Sequence, residues 1–273
     1  MVVGMDVSSP FDLRDRVAVV TGAGSPQGIG FATAKLMGHL GASVVLGATS
    51  SRVEQRVREL RGAGVDAACR IGDLTREQAA AELVATTVGM FGRLDILVNN
   101  AGMISTTDGE FESGTAEEMT LETWTSSLRR NLDSAFLVSK AALPSMVGHG
   151  WGRIVMVASV TGPLMAMRGD VAYSTAKAGM VGLMRALAVD AAGRGVTVNA
   201  VLPGWIATSS QTDQEKREGR LTPVGRSGTP EEVASAIAWL SSPGSSYVTG
   251  QSVVVDGGNS IAEERFIAGG AQA

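Results

Sequence analysis

Short β-branched runs alternate with longer segments of helical periodicity along most of this chain. The first run, residues 16–22 (RVAVVTG), passes through GAGSPQGIG into a helical pattern from Phe31 to Leu40. Comparable runs at Ser43 to Ala48, Ala67 to Ile71, Asp95 to Asn99, Arg153 to Ala158, Thr197 to Leu202 and Ser252 to Val255 bring the predicted strands to seven. Apolar residues fill these runs without strict alternation, as in strands covered on both faces. The pattern predicts an α/β fold: one domain with a doubly wound, seven-stranded parallel sheet and helices on both faces. Ligands of such a sheet bind beyond the C-terminal ends of its strands.

Two of those strand ends carry residues suited to chemistry. After the first run, glycines between strand and helix let backbone amides approach a pyrophosphate, whose charge the helix N-terminus favours. A glycine loop is weak evidence by itself in a chain with 35 glycines, and its strand-loop-helix setting is what strengthens it. After the fifth run comes Ser159, followed by Tyr173-Ser-Thr-Ala-Lys177. A Tyr and a Lys four apart share one helix face. A phenol, with an ordinary pKa of about 10, is a poor acid–base group near neutrality unless a neighbouring ammonium favours the phenolate, and Lys177 is placed to do that. A hydroxyl at Ser159 could then hydrogen-bond the oxygen of an alcohol or ketone while Tyr173 moves its proton. Proton transfer at a carbinol oxygen requires a hydride acceptor beside it.

In order along the chain stand the glycine loop at 21–30, Asp73-Leu74, Asn99-Asn100-Ala101-Gly102, Asn131, Ser159, Tyr173 with Lys177, Pro203-Gly204 with Thr208, and a DGG close at Asp256 to Gly258. On these motifs the chain resembles the classical short-chain dehydrogenase/reductase family from about Leu13 to Gly258. Within that family it is most similar to the branch of 3-oxoacyl-carrier-protein reductases and related secondary-alcohol dehydrogenases. The resemblance implies a Rossmann-type catalytic domain over 13–258, with an N-terminal arm (1–12) and a C-terminal tail (259–273). It implies Asn131, Ser159, Tyr173 and Lys177 as the catalytic set, with Asn131 at a helix kink holding a water and Lys177 also binding the nicotinamide ribose. The cofactor contacts it implies are Gly22, Gly24, Ser25, Gly28, Ile29 and Gly30 in the glycine loop, and Thr49, Ser50 and Arg52 after the second strand. Further contacts are Asp73, at the adenine ring, with Leu74, then Asn99, Ala101 and Gly102, then Pro203, Gly204, Ile206 and Thr208, whose hydroxyl would bond the carboxamide.

The chain departs from the family pattern in two loops. Two extra residues separate Gly22 from Gly28, although Gly24, Gly28 and Gly30 restore the usual spacing, and Ser159 to Tyr173 is one position longer than in many relatives. Where NAD-selective relatives carry an Asp, this chain has Gly47-Ala48-Thr49-Ser50-Ser51-Arg52. Hydroxyls with Arg52 suit a 2′-phosphate, which favours NADP(H) over NAD(H). Against this, Gln27 stands where many NADP users are basic, and Thr49 or Ser50 would also serve as a helix cap beside a solvated Arg52. Asp73 with Thr75, and Thr208, have the same alternative reading as caps.

A net charge of -4 argues against nucleic acid or an anionic membrane as partner and leaves a small molecule. The single Cys69 excludes an internal disulfide. No apolar run approaches the roughly 18 residues of a membrane span, and MVVGMDVSSP lacks a basic region followed by an apolar core, so a cytoplasmic protein is expected. His39 and His149 stand far apart without companion ligands, so no metal is expected. The resemblance implies a homotetramer, with Ile261, Phe266 and Ile267 available to pack on a neighbour.

Met103, Leu164, Met165 and Trp205 lie in the loops expected around the nicotinamide and together point to a hydrophobic ketone or alcohol as substrate. The acidic 103–124 connection reads as a solvated loop or inter-subunit contact, or as a pocket rim. Two rivals stand beside this reading. One is reduction of a carrier-bound 3-oxoacyl group, for which Arg129, Arg130 and Arg194 are the candidate docking cations. The other is a dinucleotide-binding sensor or scaffold without turnover.

Overall fold

The computed structural model describes residues 9–102 and 114–264. Its strands are β1 (Val17–Thr21), β2 (Ser43–Ala48), β3 (Ala67–Ile71), β4 (Ile96–Asn99), β5 (Gly152–Val157), β6 (Val196–Pro203) and β7 (Ser252–Val255). They form one seven-stranded parallel sheet in the order β3-β2-β1-β4-β5-β6-β7. All seven predicted strands are present, with ends shifted by a residue at β1, β4, β5 and β6. The helices are α1 (Ile29–His39), α2 (Arg52–Gly62), α3 (Glu77–Phe91), α4 (Leu121–Leu128), α5 (Ser134–Gly148), α6 (Val171–Ala191), α7 (Asp213–Arg220) and α8 (Pro230–Leu240).

Neighbouring strand residues point to opposite faces, and both faces are covered. Val19, Leu97, Ile154 and Met156 belong to a core shared with α3, α5 and α6, whereas Ala18, Val20, Ile96, Val98 and Val155 belong to the one shared with α1, α2 and α8. This is why the runs read as continuously apolar. The order reverses between β1 and β4, and a sheet of this kind opens its ligand crevice there, at the C-terminal edge.

The opposite edge is tied by a buried acid. Asp95, just before β4, is fully buried and accepts the Val17 N–H (2.9 Å), Arg93 Nε (2.7 Å), Arg93 Nη2 (2.6 Å) and Arg16 Nη1 (3.4 Å). Arg16 and Arg153 lie over the Trp151 ring at 3.9 and 4.3 Å. Burial, and then Arg16, bring the Arg153 guanidinium down to about 10, and it donates to the Gly152 and Ser242 carbonyls. Among the described residues no helix is long and apolar enough to cross a membrane, and no group of three or more His, Cys, Asp or Glu is placed to hold a metal ion.

Candidate active site

The glycine loop is held open by the strand beside it. Asn100, just past β4, donates from Nδ2 to the Thr21 and Gly22 carbonyls (2.9 and 3.1 Å), and Thr21 Oγ1 accepts the Asn100 and Ala101 N–H groups (3.0 and 2.9 Å). Gly22 has φ +67°, and a Cβ there would lie 2.8 Å from the Ala101 Cα. Gly28 caps α1 without a side-chain hydrogen bond, and no acid stands in the first turn. The helix starts at Ile29, two residues earlier than predicted, so Gly30 lies inside it, and a Cβ there would be 2.6 Å from Asn100 Nδ2. At Gly24 a Cβ would meet only the Ala48 Cβ, at 3.7 Å. An acid-free helix start and the side-chain-free backbone at Gly24 and Gly28 fit the pyrophosphate of a dinucleotide. Ser25 Oγ lies 2.9 Å from Ser209 Oγ, so the loop after β1 touches the segment after β6.

Ser159 follows β5, and its Oγ accepts the Thr161 N–H at 3.1 Å, which leaves its own proton free to donate. Tyr173 stands in the first turn of α6. Burial pushes the phenol up to about 12, the Ser159 side chain pulls the other way, and the Asp170 and Glu215 carboxylates add to the rise. Lys177, one turn further on, is 2 % exposed; it donates to the Val157 carbonyl at 3.1 Å, and burial brings its ammonium down to about 8. Its Nζ is 5.6 Å from the Tyr173 ring centroid. Burial therefore sets the direction of the phenol's shift in this arrangement, with the Lys177 ammonium turned toward a carbonyl. Asn131 lies in a π-helical turn, Arg129–Asp133, between α4 and α5. It is fully buried, its Nδ2 donates to the Ser127 carbonyl (3.1 Å), and its Oδ1 has no partner among the described residues. Gly102, at φ +121°, makes room for it: a Cβ there would be 2.7 Å from that oxygen.

The remaining predicted cofactor residues are placed unevenly. Neither Thr49 nor Ser50 caps α2, whose N-cap is Ser51 without a side-chain bond. Arg52 is exposed and donates from Nε to Ser50 Oγ at 3.3 Å, which groups the cation with a hydroxyl at the end of β2. Asp73 Oδ1 accepts the Thr75 N–H and hydroxyl (3.0 and 2.7 Å) in a turn three residues before the N-cap of α3 at Arg76, so Asp73 is not a helix cap either. Leu74 and Ile206 are buried in the two cores, and Asn99 donates inward to Ser139 Oγ (2.9 Å). Pro203 ends β6 with its carbonyl accepting the Val160 N–H (3.0 Å), and a Cβ at Gly204 would lie 2.6 Å from the Asp256 Cβ. Thr208 bonds Ser210 at 3.0 Å, while the cap of α7 is Thr212, in a capping box with Glu215.

Of the substrate-side candidates, Met103 lies outside the described residues. Leu164 is 55 % exposed, Met165 packs on the core beside α6, and Trp205 is half-buried with an unpartnered Nε1. An open cleft of about 340 Å³ adjoins the start of α6 and is lined by Ala116, Met119, Thr120, Leu121, Trp124 and Val171. Five of these six residues belong to the 103–124 connection, for which a pocket rim was one of the readings, whereas sequence reasoning passed over Thr21 and Asn100 as the brace of the glycine loop, and over Asp170. The Asn-Asn pair after the fourth strand was the available signal for the brace.

A family model described as enoyl-(acyl carrier protein) reductase matches residues 22–260. The 3-oxoacyl-[acyl-carrier-protein] reductase FabG of Vibrio cholerae is 39% identical over 252 residues, covering 90% of this chain and 98% of that protein. The cis-4-hydroxycyclohexanecarboxylate dehydrogenase of Sinomonas cyclohexanicum is 39% identical over 248 residues, covering 89% of this chain and 96% of that one. A solved structure of an actinorhodin polyketide ketoreductase variant with NADPH superposes with a TM-score of 0.82 at 35% identity, covering 90% of this chain and 98% of that chain.

Proposed function

Since the chain belongs to the short-chain dehydrogenase/reductase family and is an oxidoreductase of the alcohol–ketone type, we propose that it interconverts a hydrophobic ketone and its secondary alcohol with NADP(H). The observation that carries this reading is the pairing of Ser159 with the protonated Tyr173 phenol at the end of β5, beside a glycine loop suited to a dinucleotide. A bound nicotinamide supplies the hydride to the carbonyl carbon, or takes it back from the alcohol.

The protein's own groups handle the oxygen and its proton. Ser159, whose lone pair already takes the Thr161 N–H, donates its hydroxyl proton to the carbonyl oxygen. Tyr173 gives that oxygen its proton during reduction and receives one during oxidation. With its pKa near 12 the phenol is protonated at neutral pH, the form that reduction needs. Lys177, which donates to the Val157 carbonyl and to Met180 Sδ, would hold the ribose hydroxyls and the phenolate that reduction leaves. The orphan Oδ1 of Asn131 accepts from a water that returns a proton to this pair. Arg52 with Ser50 holds the 2′-phosphate, a choice in line with the NADPH of the ketoreductase structure.

The carrier-protein reading draws on the FabG relative, but its candidate cations do not form one patch. Arg129 neighbours Asn131 at the crevice end, whereas Arg194 follows α6, whose 21 residues span about 30 Å away from Tyr173. A homotetramer belongs to the proposal too. It would cover the edge strand β7 and the exposed Val189, Tyr247 and Ile261, and sedimentation would test it. The deciding experiment is fluorescence titration with NADPH and NADH, followed by absorbance at the reduced-nicotinamide band with cyclic, aryl and acyl-thioester ketones. Tight NADPH binding with turnover of a free ketone is expected. Preference for NADH would remove the role given to Arg52, and turnover confined to acyl-thioesters would replace the free ketone as substrate.

A further inference from the structure

The segment from Asp256 to Ser260 forms a tight turn directly after β7. Asp256 accepts the Gly258 N–H at Oδ1 (2.9 Å) and the Ser260 N–H at Oδ2 (2.6 Å), and Gly257 and Gly258 take φ values of +64° and +84°, which suit glycine. The turn is also held from outside, by the Val224 N–H on the Gly257 carbonyl (3.2 Å) and by Gly204 packed on Asp256. Asn259 leaves this turn 4 % exposed, and its Nδ2 donates to Met165 Sδ at 3.6 Å, the side chain's sole hydrogen bond among the described residues. Met165 lies in the loop after β5, so the contact crosses the end of β6. A thioether is a weak acceptor. Apolar groups in place of both partners would serve stability nearly as well, so the fold itself has little use for an amide there.

Met165 closes the loop that begins at Ser159. Its N–H donates to the Val160 carbonyl (2.9 Å) and its carbonyl accepts the Gly162 N–H (2.7 Å), while Thr161, bridged to Met165, donates its own N–H to Ser159 Oγ (3.1 Å). The other side of the loop lies hard against α6. Gly162 has φ +102°, and a Cβ there would be 2.2 Å from the Ser174 carbonyl oxygen, next to Tyr173. The loop is thus gripped between α6 and Asn259. We propose that Asn259 is a positioning residue for the reduction step: by holding Met165 it fixes the Ser159 hydroxyl relative to Tyr173, so that both reach one carbonyl oxygen. This rests on the reading of Ser159 and Tyr173 as the groups that handle that oxygen. Hydrogen bonds weaken steeply as distance and angle drift, so a loosened loop slows the chemical step and leaves cofactor binding alone.

The test uses Asn259→Leu, which keeps a branched side chain without the donor, Met165→Leu, which removes only the sulfur acceptor, and the two combined. The ketone is whichever of the cyclic, aryl and acyl-thioester panel the unaltered enzyme reduces fastest. The readouts are the pre-steady-state rate of NADPH oxidation at saturating ketone, the KM for that ketone, the NADPH dissociation constant and the melting temperature. Each single variant should slow NADPH oxidation by about fivefold, the size of one neutral hydrogen bond. The double variant should be no slower than either single one to within about twofold, because both changes break the same contact. KM, NADPH binding and melting temperature should stay close to those of the parent, a split that a merely structural role would not produce. Should Asn259→Leu fail to fold, Met165→Leu alone carries the prediction. Unchanged rates in the single variants, losses that multiply in the double one, or an effect confined to melting temperature or NADPH binding would overturn the proposal. Reduction of no ketone in the panel by the unaltered enzyme despite NADPH binding would instead overturn the ketone reading beneath it.

Discussion

Asp95 and Asp170 are both buried acids, at opposite ends of the same sheet, and their surroundings differ in kind. Asp95 is met by a backbone N–H and three guanidinium contacts, and together they fasten β1 to the approach to β4. Asp170 meets no donor among the described residues and shares its neighbourhood with a phenol and another acid. Other groups follow the same division. At the N-terminal edge the Arg153 guanidinium is supplied with carbonyls, whereas at the C-terminal edge Asn131 Oδ1 and Trp205 Nε1 lack partners among the described residues. Saturated polar groups stabilise the fold, and unsaturated ones mark where a ligand completes the set. The division is one of degree, since Thr197 Oγ1 at the start of β6 also lacks a partner among the described residues.

That contrast can be broken most forcefully at Tyr173. Tyr173→Phe should lower turnover by about 10²–10⁴-fold and leave the melting temperature and NADPH titration close to those of the parent; a large loss of stability would show that the two ends are not divided as described. The reverse experiment is Asp95→Ala, which removes one side of a buried pair. Urea unfolding should show a loss of about 3–5 kcal/mol, while the preference among ketones stays put.

A pH series sharpens the crevice end further. Lys177, lowered to about 8 by burial, carries its charge below that pH and loses it above, and the ammonium is what supports the phenolate formed in reduction. Reduction should therefore hold steady up to about pH 8 and then fall by as much as about tenfold per unit. Alcohol oxidation, which needs the phenolate of a group near 12, should rise toward alkaline pH. The smallest change is expected from Arg52→Ala. As an exposed cation on a hydroxyl, it should account for about a tenfold preference for NADPH over NADH, and less at high salt. Dissociation constants for the two cofactors in the variant and the parent check this.

The sheet was legible because a strand covered on both faces leaves an unbroken apolar run, and the five interior runs are such strands, while the edge strands β3 and β7 are partly exposed. Helix starts were less legible: Ile29 and Gly30 join α1 although glycine disfavours helix, since Gly30 has no side chain to strike Asn100. The residues of the candidate site could be named from their order along the chain, but their electrostatics could not. The spacing of Tyr173 and Lys177 implies a lowered phenol pKa, whereas burial, which depends on the whole fold, turns the shift upward. Asp170 escaped notice because an acid in front of a helix ordinarily reads as a cap, and only its missing bond separates it from one.

The hydroxyl contact between Ser25 and Ser209 has a consequence for timing. It links residues 184 positions apart, across the two strands that separate β1 from β6. If the proposed dinucleotide lies between those loops, the two hydroxyls part on binding and rejoin on release. A neutral pair of this kind is worth about 1 kcal/mol, little enough for thermal motion to open it continually. On that reading the tempo at which spent dinucleotide is exchanged for fresh would depend in part on a clasp that closes weakly and often.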